Sequence, residues 1–98
     1  MRESTVERYL TRRVREIGGE VRKVSWVGRR GAPDRLVMLP RHCLRTGPFS
    51  SCYTIWVELK APGEKPRVSQ EREHKRMRAM SQTVVVIDSI EGVDGLLR

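Results

Sequence analysis

Ninety-eight residues suit one domain, residues 1–98, with a single modest core that self-association would strengthen. Hydrophobic residues make up 38% and charged ones 33%, a balance that excludes a disordered chain. Twenty Lys and Arg against twelve Asp and Glu leave a net charge of +8 and a pI near 10.5, which points to a polyanionic partner: nucleic acid or an anionic membrane surface. Membrane is the weaker of the two. No apolar run approaches the roughly 18–20 residues of a spanning helix. The opening Met1 to Glu7 also lacks the apolar stretch of a signal peptide, so a soluble intracellular protein is expected.

Ser4-Thr5-Val6-Glu7 has the form of a capping box, with Ser4 as N-cap and Glu7 three positions on. Val6, Leu10, Val14 and Ile17 then recur at helical spacing, with Tyr9 beside them, and Gly18-Gly19 stops the helix. Arg8, Arg12, Arg13 and Arg15 fall mostly on its wet side. Val21 to Val27 reads as a strand, although its alternation is imperfect. Gly28 to Pro33 is a loop by its glycines and proline. A second strand runs from Asp34 to Leu39 and ends at Pro40. Arg41 to Ser51, with Gly47-Pro48 and small polar residues, is expected to be an exposed connection.

Tyr53 to Lys60 is the cleanest strand. Ile55, Val57 and Leu59 point one way, and Trp56, Glu58 and Lys60 the other. After the loop Ala61 to Pro66, Ser69 can cap a helix running to about Ser81, with Gln70, His74 and Met77 along one stripe. Val84 to Ile87 is an uninterrupted apolar run, too short for a helix, and reads as a central strand buried on both faces. Ser89 caps a short last helix carrying Ile90, Val93 and Leu97. The order is α-β-β-β-α-β-α, an α/β fold with a mixed central sheet flanked by helices.

Cys43 and Cys52 flank a short polar stretch. A zinc site needs four ligands, and His42 and the distant His74 are poor candidates for the rest. Two ordinary thiols in a reducing compartment are the expected state, ahead of a local disulfide.

The chemistry gathers at two strand ends. Asp34 opens one strand and Glu58-Leu59-Lys60 closes the next, so hairpin pairing would bring them together. Two converging carboxylates make a hard, oxygen-rich site suited to Mg²⁺ or Mn²⁺. Such an ion polarises a phosphoryl oxygen and lowers the pKa of a bound water. A lysine on the same face can orient that water or neutralise charge building on the phosphate. By spacing alone, an acid and a base two residues apart on a strand are more often an ordinary surface ion pair.

The wider pattern is more specific. Gly31-Ala32-Pro33-Asp34, a hydrophobic strand, Trp56 to Gly63 with Glu58-x-Lys60, and Gln70 on the next helix together resemble the PD-(D/E)XK nuclease superfamily. Within it the chain resembles the compact, stand-alone, phage-like form of the virus-type replication-repair nuclease (VRR-NUC) domain. The likeness spans nearly the whole chain, from the first helix with Glu7 to the strand Val84 to Ile87.

The resemblance implies a divalent-metal-dependent DNA endonuclease, with catalytic residues Asp34, Glu58, Lys60 and Gln70. Asp34, Glu58 and the backbone carbonyl of Leu59 would hold Mg²⁺ or Mn²⁺. Glu7 would approach the metal directly or through water, unless it serves as the capping residue. Lys60 would position the attacking water, and the product would carry a 5′-phosphate. Gln70 would face the site and orient Lys60 or the scissile phosphate, unless it is a solvated first-turn residue. Arg29, Arg30 and Arg35 around the Asp34 loop, and Lys65 and Arg67 before the second helix, are candidates to grip phosphates. His74 could touch the nucleic-acid backbone or stabilise a product, or be an ordinary surface histidine. Trp26 and Trp56 could stack on bases, with packing under a helix the better expectation for at least one.

The implied substrate is branched, flap or Holliday-junction DNA in replication, repair or recombination. The protein would act as a homodimer with isologous symmetry in the cytoplasm of a bacterial or phage-infected cell, with a replication or repair protein as a further partner. The alternatives are a non-catalytic nucleic-acid-binding module on the same fold, or a nuclease subunit of a larger phage replication or packaging complex.

Overall fold

Helix formation at the start follows the apolar period. The computed structural model describes residues 1–98, and α1 spans Glu3–Glu16 with Val6, Leu10 and Val14 fully buried along one stripe. Its N-cap is Arg2, with no side-chain cap bond, so Ser4 lies inside the first turn and not at the cap. This frees Glu7 from the capping role. The helix ends at Gly18, where φ is +89°, and the Gly19 N–H donates to the Val14 carbonyl at 2.9 Å.

Strands β1 (Glu20–Lys23), β2 (Arg35–Met38) and β3 (Thr54–Leu59) form an antiparallel ladder, and β4 (Val84–Ile87) joins β3 in parallel. The spatial order is β1-β2-β3-β4. Helix α2 (Val68–Ala79) makes the crossover between β3 and β4, and α3 (Ile90–Leu97) follows β4. The expected α-β-β-β-α-β-α order and mixed sheet are therefore present. No helix is long and apolar enough to cross a membrane.

Three expectations need correction, and the expected exposed connection Arg41 to Ser51 proves anchored at several points. The first strand ends at Lys23 and not Val27, which leaves Trp26 in the following loop. β4 is an edge strand and not a central one: β3 occupies the interior, and Val86 on β4 is exposed. Of the unbroken apolar run only Val84 and Ile87 are buried, with Val85 partly so. Helix α2 starts at Val68 with Arg67 as N-cap, so Ser69 is not the cap. Finally, Arg41 to Ser51 is tied down. Arg45 donates to the Phe49 and Cys52 carbonyls at 2.9 and 2.6 Å, the Gly47 N–H donates to the Arg98 carbonyl, and Cys43 and Phe49 pack against the core. Both cysteines are free thiols.

The core lies on one side of the sheet. Val37, Ile55, Val57 and Ile87 meet α1 and α3 there, joined by Val93, Leu96 and Leu97. Each fully buried aliphatic side chain of this kind stabilises the fold by roughly 1.5–3 kcal/mol. α1 and α3 are also joined by Tyr9, which donates to Asp94 at 2.6 Å, and by Arg13, 2.7 Å from the same carboxylate. α2 covers the other face only in part, and that is the face Trp56 and Glu58 occupy.

The loop before β2 docks on the start of α2 through Gly31. Its φ is +83°, and a Cβ there would meet the Ser69 carbonyl oxygen at 2.5 Å. Gly31→Ala is therefore expected to cost about 2 kcal/mol in denaturant unfolding, from strain and forced separation of the loop from α2. A loss below about 0.5 kcal/mol would show that this contact is not a constraint.

Candidate functional site

The register of the central hairpin decides where the carboxylates meet. Arg35 pairs with Val57 at the end of the β2–β3 ladder, so Asp34, just before the strand, comes next to Glu58, whose carboxyl feels its charge. The Val24 N–H donates to the Asp34 carbonyl at 2.9 Å, so Asp34 is held by the β1 side as well. The expected juxtaposition thus follows from backbone pairing.

Glu58 is only 7% exposed. Burial pushes its carboxyl up to about 7, and the charges of Asp34 and Glu3 push the same way, while Lys60 and Arg35 pull it down. Beneath it lies His74 of α2, 1% exposed, with Nε2 3.3 Å from Glu58 Oε1. Burial lowers the His74 pKa, and the nearby Arg78 and Lys60 add to this against Glu73 and Glu71. Both groups thus shift toward their neutral forms, and the contact is a hydrogen bond sharing one proton more than an ion pair. His74 is consequently no contact for the nucleic-acid backbone: the expectation failed because it lies on the side of α2 turned to the sheet.

Arg35 is also corrected. Its side chain is 12% exposed, with Nη1 2.9 Å from Asp34 Oδ1 and Nη2 2.7 Å from Glu7 Oε2. Burial works against its charge, but Glu7 and Asp34 outweigh it and raise its pKa. This arginine is a clamp between two acids and does not reach out to phosphates. Glu7 is brought to the site in the process, one helical turn beyond Glu3, whose charge Glu58 also feels.

Lys60 is 7% exposed and forms no ion pair within 4 Å. A sequestered ammonium beside a carboxyl titrating near 7 is suited to meet a developing anion. Gln70 is half-buried at the start of α2, and its Oε1 accepts from the Arg67 N–H at 2.8 Å. Its side-chain oxygen is thus committed to capping and not to the site. Arg30, Lys65 and Arg67 are exposed, and Arg29 is exposed but leans 3.6 Å from the buried Glu73.

The donor chemistry fits a hard divalent cation. Asp34 and Glu7 already converge on one positive group, the Arg35 guanidinium, and Glu58 adds a third carboxyl beside them. The set is not closed, since no three His, Cys, Asp or Glu side chains meet at one point. Asp34 also lines an open groove of about 580 Å³, together with Lys23, Trp26, Arg29 and Gly31.

Sequence reasoning missed the Glu58–His74 bond and the Arg35 clamp. Only the first left a trace, in the stripe of Gln70, His74 and Met77 on α2.

Comparison with known proteins bears on the family and the fold. No family model matches the chain. A protein named "Putative nuclease p44", from Acyrthosiphon pisum secondary endosymbiont phage 1, is 46% identical over 89 residues, covering 91% of this chain and 85% of the relative. A solved structure described as a VRR_NUC domain superposes with a TM-score of 0.77 at 38% identity, covering 97% of this chain and 92% of that one. The chain belongs to the VRR-NUC family. In this VRR-NUC chain Asp34 and Glu58 lie side by side at the end of the β2–β3 ladder, with Glu7 attached through Arg35.

The shifted Glu58 makes the stability of this VRR-NUC protein depend on pH. Its folded pKa lies above the ordinary 4.5, so its contribution is full below that value and is lost as pH rises through about 7. In metal-free protein the stability advantage of Glu58→Gln over the parent should grow between pH 5 and pH 8, by up to about 3 kcal/mol. The opposite tendency of His74 is common to both proteins. A gap that stays constant across this range would show that Glu58 titrates normally.

Proposed function

We propose that this VRR-NUC chain, residues 1–98 acting as one domain, is a divalent-metal-dependent endonuclease that hydrolyses DNA phosphodiesters. The observation that carries the reading is Asp34 set beside the buried Glu58 at the end of the β2–β3 ladder, with the unpaired Lys60 two residues on. The phage relative bearing a nuclease name and the VRR_NUC structure support it.

Asp34, Glu58 and the Leu59 carbonyl, with Glu7 behind them, would hold Mg²⁺ or Mn²⁺. Such an ion, when bound, supplies Lewis-acid polarisation of the scissile phosphoryl group and acidifies water. Lys60 donates a hydrogen bond to the attacking water or to a non-bridging phosphoryl oxygen, offsetting the charge that grows there. Water adds to phosphorus and gives up a proton as the bond to the 3′ oxygen breaks; that oxygen takes up a proton, leaving a 5′-phosphate and a 3′-hydroxyl. His74 holds Glu58 in one orientation from below. Arg35 keeps Asp34 and Glu7 together before substrate arrives. Gln70 acts through the start of α2, fixing the loop that carries Lys65 and Arg67.

Arg29, Arg30, Lys65 and Arg67 are placed to neutralise strand phosphates, a sequence-independent contact. The substrate is branched, flap or four-way-junction DNA, cut by an isologous homodimer that presents two such sites. Replication and repair proteins are the natural partners of such an activity, in the cytoplasm of a bacterial or phage-infected cell.

Asp34→Ala and Lys60→Ala should each lower cleavage of flap and junction DNA at least about 100-fold. Asp34→Ala should keep a native circular-dichroism spectrum, because Asp34 is half exposed. Mn²⁺ should raise the melting temperature of the parent but not of Glu58→Ala, as expected for an ion that binds only the folded site. Undiminished cutting by folded Asp34→Ala would remove this carboxylate from the mechanism.

A further inference from the structure

The chain has two tryptophans, and they lie together beside the catalytic carboxylates. Trp26 and Trp56 have ring centroids 5.1 Å apart at an interplanar angle of 49°. Trp26 is fixed by its Nε1–H, which donates at 2.8 Å to the carbonyl of Pro33, the residue before Asp34. Trp56 is two residues before Glu58 on β3, and its Nε1–H donates to Gln82 Oε1 at 3.2 Å. Both indole N–H groups are thus satisfied within the protein. What the pair has left to offer is π surface, and Trp26 is 37% exposed.

Trp26 and Arg29 each line two neighbouring hollows. One is the groove that holds Asp34. The other, about 280 Å³, adds Trp56, Met77 and Met80 as walls and Glu73 as floor. Glu73 is nearly inaccessible and already paired, 2.8 Å from Arg76 and 3.6 Å from Arg29. The two carboxylates at the hollows, Asp34 and Glu73, are each paired with arginine, and the exposed cations beside them are Arg29 and Lys23. Methionines supply adaptable apolar contact. A flat apolar ring attached to an anionic backbone matches this combination.

We propose that the Trp26–Trp56 pair, with Arg29 and the two methionines, is a subsite for an unpaired nucleobase next to the scissile phosphate. The subsite rests on the nuclease reading and deepens it, since it says how a chain this small prefers branched or flap DNA. Bases in intact duplex are stacked on their neighbours and offer no free face. A base at a junction or in a single strand does. Because the indole N–H groups are engaged, the subsite reads the presence of an unpaired base and not its identity.

The pair also provides its own reporter, since these two tryptophans give all of the indole fluorescence. With EDTA present to prevent cleavage, the protein is titrated with a mixed-sequence single strand and with a blunt duplex of equal length. The single strand should quench the fluorescence far more than the duplex does. Trp26→Ala should weaken single-strand binding about ten-fold or more while changing duplex binding less than about two-fold, and Trp26→Phe should keep most of the affinity. Equal losses on both forms, or no preferential quenching by the single strand, would overturn the subsite. So would fluorescence that changes with protein concentration alone as sedimentation shows a dimer lost in Trp26→Ala, because the patch would then be a contact between copies. Cleavage assays with Mn²⁺ judge the nuclease reading separately: a parent protein that cuts nothing sinks that reading, while the EDTA titration still decides the subsite.

Discussion

The closeness of Asp34 to Glu58 at the end of the β2–β3 ladder is the constraint on which the rest of this molecule depends. Two like charges set face to face repel, and burying one of them makes its ionisation costlier still. The chain manages this in two ways. Glu58 moves toward its neutral form against His74, and Asp34 takes the Arg35 guanidinium, which also gathers Glu7. The result is an acidic centre held in shape by its own hydrogen bonds, with one buried ammonium, Lys60, left uncommitted.

The two faces of the sheet have different duties. α1 and α3 close one face with an unbroken apolar layer, which supplies most of the stability a domain of this size can gather. α2 covers the other face only partly, and its buried residues are Glu73, His74 and Met77, two of them ionisable. A face built in this way is a weaker core and a better site. The tryptophan pair and the groove lie on this less complete side, where a polyanion can approach a surface of suitable charge.

Much of this was legible beforehand, for physical reasons. The apolar period of α1 and the alternation along β3 are local properties, and they correctly placed Val6, Leu10 and Val14, and Ile55, Val57 and Leu59, in one core. The glycines and proline of Gly28 to Pro33 marked the loop that the structure has there, with Gly31 at positive φ. Failures came where the deciding partner is distant in sequence. Val84 to Ile87 looked central because an apolar run says that a strand is covered, not how many strands flank it. Arg35 looked like a phosphate contact because Glu7, its partner, lies 28 positions away on another element. His74 looked like a surface residue because nothing in its neighbourhood says which side of α2 meets the sheet.

By itself, then, the sequence determined the element order and the core stripe and singled out Asp34, Glu58 and Lys60 as candidates, because periodicity and motif spacing are properties of a single chain segment. The tertiary structure alone decided their chemical state. Burial of Glu58, its bond to His74, the capture of Asp34 and Glu7 by Arg35 and the meeting of Trp26 with Trp56 all arise between elements far apart along the chain. Solvation and pairing, which set the pKa of a carboxyl and the exposure of a ring, depend on those neighbours and on nothing local.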